Sequence, residues 1–271
     1  MKSTKSVVSM LQLAVKGGSC RAAGAMLQAG DVTPGERSVA LRNAIAGDNA
    51  AMVGVLLEGS RECLHRLKLG DRLCQAARLG HLPIVDLLLA AGASPSAVDL
   101  RSNCALFGAI QARNEEMVVR LLDAGASVAF ANEQGETVAR KAAAFDSPPI
   151  LEAVLRAGAA IDFALTAAVM NNHRANVRLL LLNGADANEA NESGITPLIM
   201  AMLHGNIRIV ELLLRFGANI DQQDMHGDTA LIYAARHRRS VVFRYLVGRG
   251  ASTRLVNHAG ENAYDQLVNR S

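Results

Sequence analysis

Eight glycines set the frame for anything this chain can fold into. Gly30, Gly59, Gly92, Gly125, Gly158, Gly184, Gly217 and Gly250 each close a long apolar run, at spacings of 29, 33, 33, 33, 26, 33 and 33 residues. Nineteen residues before each stands a second marker: Leu11, Ala40, Leu73, Leu106, Ala139, Leu165, Leu198 and Leu231, and Tyr264 continues the series. Two markers that keep step at one period define a linear array. No unit of that size can bury its own apolar face, so each must stack on its neighbours.

Within a unit the pattern is that of two short helices. In residues 194–224, GITPLIMAMLHGNIRIVELLLRFGANIDQQD, Thr196 is placed to cap a helix and Pro197 takes the first helical position, where its missing N–H costs nothing. Leu198, Ala201 and Met202 recur at helical spacing, and Gly205-Asn206 breaks the run. Ile209, Val210, Leu212, Leu213 and Leu214 mark a second, more fully buried helix, which Gly217 ends in a left-handed conformation. A polar crossing at 219–227 leads to the next unit. Composition agrees: aromatic residues are 3% with no Trp, so alanine and leucine must do the packing, which favours helices over sheets.

With these residues in view the chain resembles an ankyrin repeat protein. The carrying segments are GITPLIMAM-HGN-IVELLLRFGA, GDTALIYAARHRR-VVFRYLVGRGA and DRLCQAARLGHLPIVDLLLAAGA, and the likeness covers residues 7–271. The histidine of the family's motif is replaced by Cys74, Phe107, Ile199 or Ile232, an exchange expected to lose a polar tie between loops and keep the core. Residues 1–68 are the most degenerate, as suits a terminal cap, and AGENAYDQLVNRS reads as one further first-type helix closing the other end. The expected fold is all-α: an ankyrin solenoid of about eight helix pairs, a capping helix and short β-hairpin tips.

The resemblance implies a concave groove made of the hairpin tips and the exposed side of each first helix. On this sequence the first-helix positions are Lys16, Arg42, Gln75, Arg78, Gln111, Lys141, Met170, Asn171, Met200, His204, Tyr233, Arg236 and His237. The tip positions are Glu133, Gln134, Glu136, Glu192, Ser193, Ile195, Met225, His226, Asp228, His258 and Glu261. Met200, Met225 and Tyr233 beside His204, His226 and Arg236 have the composition of a protein-binding hot spot. The partner-binding set is therefore drawn from Arg78, Lys141, Met200, His204, Met225, His226, Tyr233, Arg236 and His237, with the carboxy-terminal half favoured.

Other classes fare worse. Net charge is only +3 and evenly spread between the halves, so no global basic field points to nucleic acid. Between Asp228 and Glu261 lie six arginines and no acid: Arg236, Arg238, Arg239, Arg244, Arg249 and Arg254. That block suits an acidic ligand, but helical spacing scatters it over several faces and no aromatic residues interleave for stacked bases. His204, His226, His237 and His258 occupy different repeat positions without a metal-ligand spacing. No phosphate-cradling loop or nucleophile–base constellation can be placed, and Glu115-Glu116 at a helix start favours the helix dipole rather than chemistry. Cys20, Cys63, Cys74 and Cys104 form no CxxC pair and read as reduced thiols. The amino terminus has no apolar h-region and no run approaches a membrane span. The resulting expectation is a non-catalytic protein-interaction module, cytoplasmic, cofactor-free and monomeric in isolation. A stoichiometric regulator or inhibitor of an enzyme, including a pathogen-effector or immunity-type role, and an acidic-ligand or nucleic-acid binder using the Arg236–Arg254 block are the alternatives.

One place breaks the period. From closing glycine to first-helix leucine takes 14 residues at Gly92–Leu106 and Gly184–Leu198, but 7 at Gly158–Leu165, within RAGAAIDFALTAA. Leu165, Ala168, Val177 and Leu179 to Leu181 keep the helical pattern, so the loss is a hairpin tip. The expected organisation is one domain over 1–271: degenerate repeats 1–68, regular repeats 69–160, a missing finger near 159–164, regular repeats 161–259 and a cap at 260–271. An open notch or a change of curvature is expected at the missing finger.

Overall fold

A computed structural model describes residues 9–30, 32–58, 67–99 and 104–268. Gly59 and Cys63 lie outside the described residues. Seventeen helices are found among those described. They pair as α1 (Met10–Lys16) with α2 (Cys20–Ala29), α3 (Pro34–Ala46) with α4 (Ala50–Leu57), α5 (Leu69–Leu79) with α6 (Leu82–Ala90), and α7 (Ala105–Gln111) with α8 (Glu115–Asp123). The series continues with α9 (Val138–Ala143) and α10 (Pro148–Arg156), α11 (Ala164–Met170) and α12 (Arg174–Leu182), α13 (Pro197–Ala201) and α14 (Ile207–Arg215), α15 (Ala230–Arg236) and α16 (Ser240–Gly248), and the single α17 (Ala263–Val268). Two compact units result, Met1–Gly135 and Glu136–Ser271. In each, first helices stack on first helices and second helices on second helices. The short Gly158–Leu165 connection lies inside the second unit.

The periodic markers are the core. Leu11, Ala40, Leu73, Leu106, Ala139, Leu165, Leu198 and Leu231 are all buried. So are the second-helix residues Ile84, Val85, Leu88, Met117, Val118, Leu121, Ile209, Val210 and Leu213. Each such side chain contributes about 1.5–3 kcal/mol of burial, available only when the next helix pair is in place. Tyr264, the last of the marker series, departs from it. It is 48% exposed and meets Phe243 edge-on, ring centroids 5.8 Å apart.

The closing glycines have the backbone the pattern demands: φ is +88° at Gly92, Gly125 and Gly217, +89° at Gly184 and +90° at Gly250. The alanine that follows donates its N–H back to the helix, Ala218 to the Leu213 carbonyl and Ala251 to that of Leu246, both at 3.0 Å. Those alanines are buried, which explains why Gly-Ala recurs as a pair. At the other helix ends, Thr137, Thr196 and Thr229 accept hydrogen bonds from N3 amides, and Thr33 with Glu36 completes a capping box.

Two expectations change on inspection. The tips are tighter than hairpins of paired strands: among the described residues only two isolated antiparallel bridges occur, Val98–Cys104 and Gln223–Thr229. The exchange of histidine for cysteine at position 74 does not lose its polar tie, because the Cys74 thiol donates to the Ala97 carbonyl at 3.4 Å. Burial pushes that thiol up to about 12, so it stays protonated and serves as a donor rather than a nucleophile. Cys20, Cys74 and Cys104 are free thiols. No helix among the described residues is long and apolar enough to cross a membrane.

A Cβ added at Gly217 would meet nothing within 4 Å, so the cost of Gly217→Ala is purely that of the left-handed backbone, about 1–2 kcal/mol. A Cβ at Gly248, helical and equally unobstructed, should instead stabilise by about 0.5 kcal/mol. Denaturant titrations of the two variants are expected to shift in opposite directions.

Candidate functional site

The second unit carries three consecutive finger tips at 191–195, 224–228 and 257–261, and one local rule builds all of them. Asn191, Asp224 and Asn257 each open the tip, and the side-chain oxygen accepts two backbone N–H groups. These come from Ser193 and Ile195, from His226 and Asp228, and from Ala259 and Glu261, at 2.9–3.0 Å. A glycine closes the turn three residues on. The tips then bond to one another: Met225 N–H donates to the Ser193 carbonyl at 3.0 Å and His258 N–H to that of His226 at 2.9 Å. Neighbouring fingers approach so closely that a Cβ on Gly194 or Gly227 would sit about 3.0 Å from the next finger's backbone. Glycine is needed there for space as well as for its positive φ.

Beneath the fingers lies a buried polar network. Asp228, only 3% exposed, binds both terminal nitrogens of Arg236, at 2.7 and 2.9 Å, and accepts from Asn257 Nδ2 at 2.9 Å. Arg236 also donates through Nε to Gln266 of α17 at 3.3 Å. The bond to Asp228 holds the guanidinium proton even more firmly than usual. Tyr233 donates its hydroxyl proton to Asp224 at 2.9 Å and carries the Arg236 guanidinium over its ring at 5.2 Å. Burial, then the bond to Asp224, push the Tyr233 hydroxyl up to about 12, so it remains a donor throughout the neutral range. The His237 ring stacks on that of Tyr233, centroids 6.1 Å apart and 14° from parallel.

The sequence-selected residues therefore divide into two groups. Met225, 56% exposed, and His226 and His258 stand out from the tips. His204 and His237 are exposed at the ends of their first helices, with His204 Nε2 at 2.7 Å from the Met170 carbonyl. Met200, Tyr233 and Arg236 are half-buried, and the last two hold the fingers to α15. Lys141 pairs with Glu136 at 3.2 Å and lies 5.9 Å over the Phe145 ring. Arg78 is exposed in the first unit, where α7 packs so closely that a Cβ at Gly108 would approach the Arg78 nitrogen to 2.7 Å. Asn257, Gln266 and Asp224, which anchor the network, were not singled out by sequence reasoning. For Asp224 and Asn257 the one signal is the recurrence of Asn or Asp three residues before the tip glycine; Gln266 carries none.

The arginine block is dispersed. Arg236 is committed to Asp228. Arg239 reaches back from the eighth pair to the carbonyls of Met202 and Leu203, and Arg249 lies 5.1 Å over the Tyr245 ring. The Arg239 contacts belong to a recurring device, in which a side chain of one unit caps the end of the preceding first helix. His173 does so for Ala144 and His204 for Met170.

At the missing finger, the Phe163 N–H donates to Glu189 of the following loop at 2.8 Å. Phe163 holds a left-handed φ of +55° and starts α11 without a side-chain cap. Burial raises the Glu189 carboxyl, and the bond from Phe163 acts against that rise.

Removing the Asp228 carboxylate leaves a half-buried guanidinium and the Asn257 amide without their acceptor. Asp228→Ala is expected to lower unfolding stability by about 3 kcal/mol, measured by denaturant titration.

Comparison with known proteins follows from this geometry. The model of a family described as ankyrin repeats (3 copies) matches residues 73–164 and 165–257, more than half of the chain. No curated protein matches. Solved structures that resemble it include the ankyrin repeat domain of Bcl-3, titled a unique member of the IkappaB protein family, at 30% identity and TM-score 0.63, covering 72% of this chain and 92% of that one. The human ASB11 ankyrin repeat domain matches at 27% identity and TM-score 0.68, covering 73% and 92%. Ankyrin repeats are protein–protein interaction modules, typically without catalysis. Period, helix pairing, closing glycines and family match agree, and the chain belongs to the ankyrin repeat family.

Proposed function

We propose that the protein is a docking module that holds a partner protein across the finger row of its second unit. The observation that carries this reading is the pair of inter-finger hydrogen bonds, Met225 to Ser193 and His258 to His226, above the Asp228–Arg236 anchor. They fix the backbone beneath Met225, His226 and His258 before any partner arrives, so binding loses little conformational freedom. An exposed methionine next to His226, with exposed Glu192 on the neighbouring finger, offers an apolar centre with a polar rim, the usual anatomy of a protein interface. Tyr233 and Arg236 act here as supports, since their polar atoms already have internal partners. The dispersal of the arginine block weighs against an acidic-ligand reading centred on it. Regulation of an enzyme would be one use of the same docking step.

The test is quantitative affinity capture from cell extract with the full chain and with Met225→Glu/His226→Glu. Proteins held by the wild type should fall at least tenfold on the variant, with the thermal midpoint unchanged. Equal capture by both would remove the finger row as the docking surface.

A further inference from the structure

The opposite helices of the second unit carry a feature that the finger row does not use. Six second helices, α6, α8, α10, α12, α14 and α16, are each nine residues long and in register. Their ninth positions are Ala90, Asp123, Arg156, Leu182, Arg215 and Gly248. Leu182 alone is large and apolar, and it is 62% exposed. It sits at one end of a groove of about 500 Å³ between α10 and α12. Pro148 and Glu152 form one wall; Arg174, Arg178, Leu179 and Leu182 form the other.

The charges in this groove are unusual for the fold. Arg174 and Arg178 are exposed and one helical turn apart, about 6 Å along the axis, and neither makes an ion pair among the described residues. Glu152 across the groove is bound instead to Arg156, at 2.5 Å. In the first unit the counterpart of Glu152 is Asp86, and it is met from the following second helix by Arg120, one register position beyond that of Arg178, at 3.2 Å. Arg174 opens its helix, where a positive charge opposes the helix dipole, and no acidic residue lies in that first turn. Arg174 thus stands against the helix dipole, and both arginines lie beside an exposed leucine with no acid bound to them among the described residues.

We infer that the α10–α12 groove is a second docking surface, separate from the finger row, for an acidic amphipathic helix of a partner protein. Two carboxylates one turn apart on that helix match Arg174 and Arg178, and a leucine-type side chain next to them covers Leu179 and Leu182. The match of two charges at helical spacing with an apolar floor selects a peptide helix over a small anion, which needs no floor. It also selects it over an anionic membrane surface, which needs no spacing.

The experiment is selection of displayed helical peptides on the full chain, with counter-selection against Arg174→Glu/Arg178→Glu. Surviving peptides should carry paired Asp or Glu three or four residues apart beside Leu, Ile or Met. For one synthesised survivor, Arg174→Ala, Arg178→Ala and Leu182→Ala should each weaken binding five- to tenfold, while Met225→Glu leaves it unchanged. The three groove residues are exposed, and unaltered circular dichroism and thermal midpoints would exclude misfolding. No surviving peptide, survivors without acids, or affinity unmoved by the three alanine variants would overturn the inference. So would binding to phosphatidylserine vesicles that matches or exceeds peptide binding and falls with the same variants. Because Met225→Glu alters only the finger row, failure of either docking surface leaves the other separately readable.

Discussion

No helix pair in this chain can bury its own apolar face, and everything else follows from that constraint. The leucines and alanines at nineteen residues before each closing glycine are buried only because another pair lies against them. The left-handed glycine makes the repetition possible, since it ends each second helix at a fixed point and returns the following alanine to that helix. On α17 the marker residue Tyr264 is half-exposed against Phe243.

The repeats have small surfaces to offer a partner, so the fingers must be held from below. Asp224 and Asp228 do this in different ways. Asp224 closes its own turn and receives the Tyr233 hydroxyl, whereas Asp228 receives Arg236 from α15 and Asn257 from the next finger. A finger, its own first helix and the following finger are thereby linked through buried charge-assisted bonds, which are strong because water is excluded. The exposed residues ride on that frame.

Much of the fold was legible in the sequence because it is written as a period. Gly217, Thr196 and Leu213 act as their positions predict. The candidate site was legible by place but not by role. Tyr233 and Arg236 have the composition of a hot spot, yet their polar atoms face Asp224 and Asp228. Periodicity tells which side of a helix a residue occupies, not which neighbour thirty residues away it will meet. Cys74 was underestimated for a related reason: a thiol is a weak donor in general, but burial keeps this one protonated beside a carbonyl. Leu182 is one more leucine in the sequence pattern, and only the packing of α12 leaves it 62% exposed.

Hydrogen–deuterium exchange at single-residue resolution tests the central claim, that the fingers are preformed and pinned by the Asp228 network. In the free wild-type chain the Met225 and His258 amides should be strongly protected. In Asp228→Ala that protection should fall by at least tenfold, while the amides of Leu213 and Val210 in α14 remain protected. Rapid exchange of Met225 and His258 in the free wild type would contradict the account, because it would mean that the docking row forms only when a partner binds.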